Sequence, residues 1–174
     1  MSNNLRYSIS DEMLYGSIGG KSFSMKAYSG GGRGSTANME LCDLRHWSSQ
    51  KKAPPAFSRS DRGGPLPPGH YLVNYYGVHE HLGRCAELSQ TLTSLLYSDP
   101  FSSIGLSVTE RSGFFIHGRG PKGSDGCIVP DKATDLRALL DAIESSPSPI
   151  LLTVYSEGMN AEKIDAARFF GNVG

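Results

Sequence analysis

Short segments in which apolar and polar side chains alternate, separated by glycine, restrict the fold of this chain more than any other feature. Every second residue of segments 22–27 and 70–76 is apolar or aromatic, which is the period of a half-buried strand. The pair Gly19-Gly20 before the first segment is a hairpin turn signal. Residues Phe114–Ile116 and Ile150–Tyr155 are apolar runs rich in aromatic or β-branched residues, which are typical of interior strands.

Two other segments have apolar residues at helical spacing. The first is 84–97, where one amphipathic helix is expected from the positions of Leu88, Leu92, Leu95 and Leu96. The second is expected to begin at an N-cap, Asp131 or Thr134, and to end at the Ser-Pro-rich stretch 145–149, and its apolar residues are Leu136, Leu139, Leu140 and Ile143. Residues 160–170 are a candidate for a last short helix.

These patterns predict a mainly β chain with a few helices, a β-rich α+β fold. The sheet is expected to be mostly antiparallel, with the helices packed on its outside. A length of 174 residues suits one domain over residues 1–174. Seventeen basic and seventeen acidic side chains cancel, so the overall charge gives no reason to expect nucleic acid as a partner.

The amino terminus has no basic region followed by an apolar stretch of the kind that a secretory signal needs. No apolar stretch is long enough to span a bilayer. We therefore expect a protein made in the cytoplasm without a signal peptide and with no membrane span.

The segment 114–128 contains the strongest chemical signal. An expected strand ends at His117, a stretch rich in Gly and Pro follows, and Cys127 comes directly after Gly126. A thiolate is a nucleophile, and an imidazole beside it can take its proton and later protonate a leaving amine. The pair His117 and Cys127 is therefore a candidate for acyl transfer.

Gly126 lacks a Cβ, so a substrate carbonyl can approach the backbone next to the thiol. The backbone N–H groups of Gly126 and Cys127 are candidate donors to an oxyanion. The alternative is that Cys127 is a small apolar residue of the core and His117 a hydrogen-bonded strand end.

A second candidate site, His79-x-His81-x-x-x-Cys85, has three metal-capable side chains within seven residues. A structural zinc site takes four ligands, and the sequence nearby offers no evident fourth. A polar turn with solvated histidines is the favoured interpretation of this segment. A thiol and an imidazole suffice for acyl transfer, so we expect neither a metal nor another cofactor.

The order His117-Gly118, a short loop, then Ser124-x-Gly126-Cys127-Ile128 resembles the active-site signature of the L,D-transpeptidase (YkuD-like) catalytic domain. Asp125 stands where that family usually has a second histidine, and the loop is shorter than usual. With these departures the chain resembles a shorter branch of the same superfamily, the L,D-transpeptidase and carboxypeptidase effectors of bacterial type VI secretion systems. The upstream stretch 64–71, Gly-Pro-Leu-Pro-Pro-Gly-His-Tyr, and the turn Tyr28-Ser29-Gly30 extend the resemblance.

The resemblance implies a mostly antiparallel β sandwich or barrel with peripheral helices, and a peptidoglycan tetrapeptide stem as substrate. Cys127 is then the nucleophile at the L-centre of the third stem residue, and D-alanine leaves or is exchanged for another D-amino acid. His117 is the base and later the acid, oriented by the carbonyl of Gly118 or by Ser124. Stem peptides carry carboxylates, so Arg111, Arg119 and Lys122 are expected to bind them, and Asp125 to position the loop or the amine of the stem.

As an antibacterial effector the protein would act in the periplasm of target bacteria. Its expected partners are a secretion apparatus or adaptor and a cognate immunity protein. A Cys/His peptidoglycan amidase or endopeptidase is one alternative, although in the familiar families the cysteine precedes the histidine. A non-catalytic module that binds cell wall or a partner is another. Three cysteines cannot all pair with one another, and a Cys42–Cys85 disulfide stays open.

Overall fold

The computed structural model describes residues 3–31, 42, 64–90, 113–118, 124 and 126–156. These residues form eight strands and one helix. The elements are β1 (Asn4–Ser8), β2 (Met13–Ile18), β3 (Lys21–Ser29), β4 (Gly69–His79), β5 (Gly83–Gln90), β6 (Phe114–Ile116), β7 (Ile128–Pro130), α1 (Ala133–Ser145) and β8 (Ile150–Tyr155). The expectation of a mainly β fold is confirmed.

The strands close into a barrel in the order β1-β2-β3-β7-β6-β5-β4-β8, with β8 returning to β1. Two neighbouring pairs, β1 with β8 and β6 with β7, are parallel, and the other six are antiparallel. The strand β8 is hydrogen-bonded on both sides, which agrees with its apolar, β-branched sequence.

The core fills the inside of the barrel. Phe23, Met25 and Ala27 of β3 are buried while their polar neighbours on the strand are exposed up to residue 26, as the alternation predicts. Tyr71 is fully buried, its ring meets Phe114 edge to face at 6.3 Å, and its hydroxyl donates to the carbonyl of Pro67 at 2.6 Å. Strand alternation therefore decides which side chains line the interior.

The prediction of a helix over residues 84–97 is wrong for the first part of that segment, because residues 83–90 form the strand β5. This strand pairs with β4 on one side and β6 on the other, and Leu88 belongs to the barrel core. Pairing on both edges outweighs the helical spacing of the leucines. The remaining residues, 91–97, lie outside the described part of the chain, as does the candidate helix at 160–170.

The helix α1 lies where its apolar spacing predicts and buries Leu139, Leu140 and Ile143. Its N-cap is Lys132, with no side-chain cap hydrogen bond, so the expectation of Asp131 or Thr134 as the N-cap is wrong. The backbone supplies the first bond instead, from the N–H of Leu136 to the carbonyl of Lys132 at 3.1 Å. Within the described ranges, no helix has the length and apolar character needed to cross a membrane.

Candidate active site

The parallel pairing of β6 with β7 sets His117 and Cys127 on neighbouring strands, His117 directly after the last residue of β6 and Cys127 directly before the first residue of β7. Ile116 is the partner of Ile128, and the N–H of His117 donates to the carbonyl of Ile128 at 3.1 Å. In this register Cys127 lies across from Phe115, two residues before His117. Strand spacing and rise then separate the Cα atoms of His117 and Cys127 by about 8 Å. Residues ten positions apart in the chain thus lie on neighbouring strands.

The thiol of Cys127 is half-buried and takes part in the β6–β7 pairing itself. A regular parallel ladder would next join the N–H of Phe115 to the carbonyl of Gly126. Instead, Phe115 donates to Sγ of Cys127 at 3.3 Å, and the thiol lies 3.9 Å from the carbonyl oxygen of Gly113. The sulfur is therefore seated at the edge of β6, while the His117 side chain is buried at 5 % exposure.

All three cysteines are thiols in the structure. Burial, and secondarily the carboxylate of Glu12, raises the pKa of Cys42 to about 11. Cys85 is fully buried, and burial raises its pKa as well. Both environments disfavour the thiolate, so neither cysteine is built as a nucleophile.

Ser124 holds the loop that carries the thiol. Its hydroxyl donates to the carbonyl of Cys127 at 2.6 Å and accepts from the N–H groups of Gly126 at 3.3 Å and Gly30 at 3.2 Å. A hydroxyl has one proton and two lone pairs, and these three bonds use all of them. Ser124 is therefore a positioning residue for the backbone, and the expectation that it orients the His117 ring does not fit this arrangement.

Ser29 at the end of β3 joins two of the sequence motifs to the same loop. Its buried hydroxyl donates to the carbonyl of Gly126 at 3.1 Å and accepts from the N–H of Leu66 at 2.8 Å. Next to it, the N–H of Ser124 donates to the carbonyl of Gly30 at 2.8 Å. The turn at 28–30 and the Pro-rich stretch at 64–71 thus both support the segment that ends at Cys127.

Gly126 has a φ of 118°, a conformation that favours glycine over any residue with a Cβ. The expectation that its N–H serves an oxyanion differs from the structure, because that N–H is directed at Oγ of Ser124. Gly126 instead gives the turn that delivers Cys127 to the start of β7.

Beside the pair, Gly118 packs against the helix so closely that a Cβ there would meet Cδ2 of Leu136. A cavity of about 380 Å³ opens at this point, lined by Gly118, Leu136, Arg84 and Arg137 among others. Arg84 is already paired with Asp141 and Glu144, so the exposed Arg137 is the guanidinium group that suits a ligand carboxylate over these apolar walls. The sequence interpretation missed these two arginines because it placed Arg84 on a helix and gave Arg137 no role.

The other expected substrate-binding residues, Arg111, Arg119, Lys122 and Asp125, lie outside the described residues. For the second candidate site, Nδ1 of His79 accepts a hydrogen bond from the N–H of His81 at 3.0 Å. Among the residues that the structure describes, no group of three His, Cys, Asp or Glu side chains is arranged to hold a metal ion.

No protein-family model matches this chain, and it matches neither a curated protein nor a solved structure.

Proposed function

We propose that this protein is a cysteine acyl-transfer enzyme acting on the tetrapeptide stem of peptidoglycan, as an L,D-carboxypeptidase or an L,D-transpeptidase. The observation that carries the proposal is the β6–β7 pairing, which brings His117 and Cys127, with its half-buried thiol, onto neighbouring strands. The choice of substrate rests on the resemblance of the motifs around these two residues.

The reaction needs only these two side chains. His117 takes the proton of the thiol, and the sulfur of Cys127 attacks the carbonyl carbon that links the third stem residue to D-alanine. A C–S bond forms, the C–N bond breaks, and the imidazolium gives its proton to the amine of D-alanine. Water then adds to the thioester and regenerates the thiol, or another D-amino acid adds through its amine and a new amide bond forms.

The anchoring of the loop supports a catalytic role for Cys127. Acyl transfer depends on a nucleophile held to within a fraction of an ångström. The two backbone carbonyls that flank the Cα of Cys127 each accept a hydrogen bond from a serine hydroxyl, that of Gly126 from Ser29 and that of Cys127 from Ser124. A small cysteine that only fills space in the core does not require hydrogen bonds that fix the backbone on both sides of it.

The cavity next to Gly118 supports a substrate with carboxylates. Arg84 and Arg137 line it, and Leu136 and Leu140 give it apolar walls. A stem peptide offers both a carboxylate and aliphatic side chains, so this cavity is the proposed place for the part of the stem that extends from the thioester.

By the same resemblance, the enzyme is proposed to be an antibacterial effector that trims or edits tetrapeptide donors in the periplasm of rival cells. A secretion apparatus or adaptor and an immunity protein would be its partners.

A second candidate function is a non-catalytic binding module. The hydrogen bond from the N–H of Phe115 to Sγ of Cys127 and the burial of His117 favour it, because a structural cysteine and histidine also have such surroundings.

The test is mass spectrometry of purified disaccharide-tetrapeptide after incubation with the wild type and with Cys127→Ala. We expect the wild type to release one D-alanine and Cys127→Ala to release none. The control is Cys42→Ala, which removes a thiol elsewhere in the protein and should remain active. Cleavage at another bond would identify an amidase or endopeptidase instead. An untouched substrate would overturn the enzyme proposal in favour of the binding module.

A further inference from the structure

A β-bulge in β4 changes which side chains reach the outer face of the barrel. The register with β5 shifts between Tyr75, which pairs with Ala86, and Gly77, which pairs with Cys85. The extra residue, Tyr76, faces outward and is 50 % exposed. After the bulge the alternation is reversed, so His79 shares the face of Tyr76, with the two ring centroids 5.4 Å apart. Bulges re-aim side chains in this way beside functional sites.

Phe115 completes an aromatic cluster with these two residues. Its ring lies 5.5 Å from that of Tyr76 and 5.3 Å from that of His79, in edge-to-face geometry. We call Tyr76, His79 and Phe115 the aromatic platform. It spans β4 to β6 over the outer face of β5.

The aromatic platform continues directly to the thiol. The β6–β7 register sets Phe115 across from Cys127, and the N–H of Phe115 is the donor to Sγ of Cys127 at 3.3 Å. The backbone of Phe115 therefore joins the platform to the residue that would hold the acyl group.

The platform has polar groups at its rim. The N–H of His81 donates to Nδ1 of His79 at 3.0 Å, so Nδ1 is an acceptor and a neutral His79 carries its proton on Nε2. The Tyr76 hydroxyl adds a group that both donates and accepts. The platform thus combines the exposed aromatic ring of Tyr76 with hydrogen-bonding groups at its edge.

We infer that the aromatic platform binds a saccharide ring, the N-acetylhexosamine of the glycan strand that bears the stem peptide. A pyranose ring has an apolar face of C–H groups and an edge of hydroxyls, which matches the platform. A partner with a purely hydrocarbon surface fits less well. It would cover the Tyr76 hydroxyl and the Nε2–H of His79 without replacing the hydrogen bonds that these groups make to water. This inference deepens the proposed function and rests on it for the choice of sugar.

Binding is tested apart from turnover with tetra-N-acetylchitotetraose, titrated into the Cys127→Ala protein by calorimetry. We expect Tyr76→Ala, added to Cys127→Ala, to weaken binding about tenfold or more, because stacking is lost. Tyr76→Phe retains the ring and should lose less. The matched control is Leu72→Ala, which removes another exposed apolar side chain of β4, and it should bind as the parent does. Circular dichroism confirms that each variant is folded.

Absence of chitotetraose binding to the Cys127→Ala protein, or equal loss in Tyr76→Ala and Leu72→Ala, would overturn the inference. In the active protein, the wild type should have a lower KM for disaccharide-tetrapeptide than for free tetrapeptide, and Tyr76→Ala should bring the ratio of the two KM values towards one. Chitotetraose binding that depends on Tyr76, in a protein that leaves the tetrapeptide intact, would support the platform while contradicting the proposed enzyme.

Discussion

The hydroxyl of Ser29 donates a hydrogen bond to the carbonyl oxygen of Gly126 across 97 positions of sequence, at 3.1 Å. This carbonyl is the acceptor that a regular β6–β7 ladder would assign to the N–H of Phe115. In this protein the carbonyl accepts from Ser29, and the N–H of Phe115 donates to Sγ of Cys127. One buried serine on β3 therefore helps to decide where the candidate nucleophile lies.

Replacing Ser29 with alanine should weaken both the fold and the site. The N–H of Leu66 and the carbonyl of Gly126 would lose a buried partner, and a buried polar group left without one costs about 1–3 kcal/mol. Urea unfolding should show this loss, and turnover should fall as the peptide before Cys127 moves. Ser24→Ala, on an exposed position of the same strand, is the control. Equal effects of the two substitutions would contradict the role given to Ser29.

The three thiols should differ in their rates of alkylation. With a pKa of about 11, only about one Cys42 side chain in a thousand is a thiolate at pH 8. Cys85 is fully buried, whereas Cys127 is half-buried, and in the proposed enzyme the imidazole of His117 stabilises its thiolate. Peptide mapping after brief iodoacetamide treatment near neutral pH should therefore find Cys127 labelled first.

Raising the pH should increase the labelling of Cys42, because its thiolate population grows tenfold per pH unit below the pKa of about 11. His117→Ala should slow the labelling of Cys127 and leave that of Cys42 unchanged. Slow, equal labelling of all three cysteines near neutral pH would favour the binding module.

Gly16→Ala should destabilise the barrel strongly. Gly16 has a φ of 140°, and a Cβ there would collide with the carbonyl oxygen of Asn4 and come within 2.8 Å of Cα of Leu5. Backbone strain alone costs about 1–3 kcal/mol, and separating β1 from β2 adds to it. Gly19→Ala is the comparison, because its φ is 59° and nothing lies within 4 Å, and we expect about 1–2 kcal/mol there. Urea midpoints in the opposite order would contradict this account.

Arg84→Gln should have a small, salt-dependent effect on stability. Nη2 of Arg84 lies 2.8 Å from Asp141 and 3.2 Å from Glu144, which links β5 to α1, but both carboxylates are largely exposed. Exposed ion pairs contribute about 0.2–1 kcal/mol and are screened at high ionic strength. A double-mutant cycle with Asp141→Asn, at low and at 1 M salt, measures the coupling. Coupling that is unchanged by salt would contradict a surface ion pair.

Several parts of this fold follow from the sequence alone. The alternation in β3 and β4, the apolar runs of β6 and β8 and the helical spacing in α1 are local patterns, and each element forms where its pattern lies. His117 and Cys127 were also visible as a pair, because only the glycine-rich segment separates them. Local periodicity suffices for these features, since each residue's environment depends on its near neighbours in the chain.

Only the tertiary structure decided the rest. The leucine spacing around Leu88 is helical, yet strands on both sides make β5 a strand, and no local pattern contains that pairing. The bond from Ser29 to Gly126, the bulge at Tyr76 and the parallel β6–β7 register all join residues through the closed barrel. Such contacts depend on which strands become neighbours, and the packing of the whole core decides that, rather than the period of any one segment.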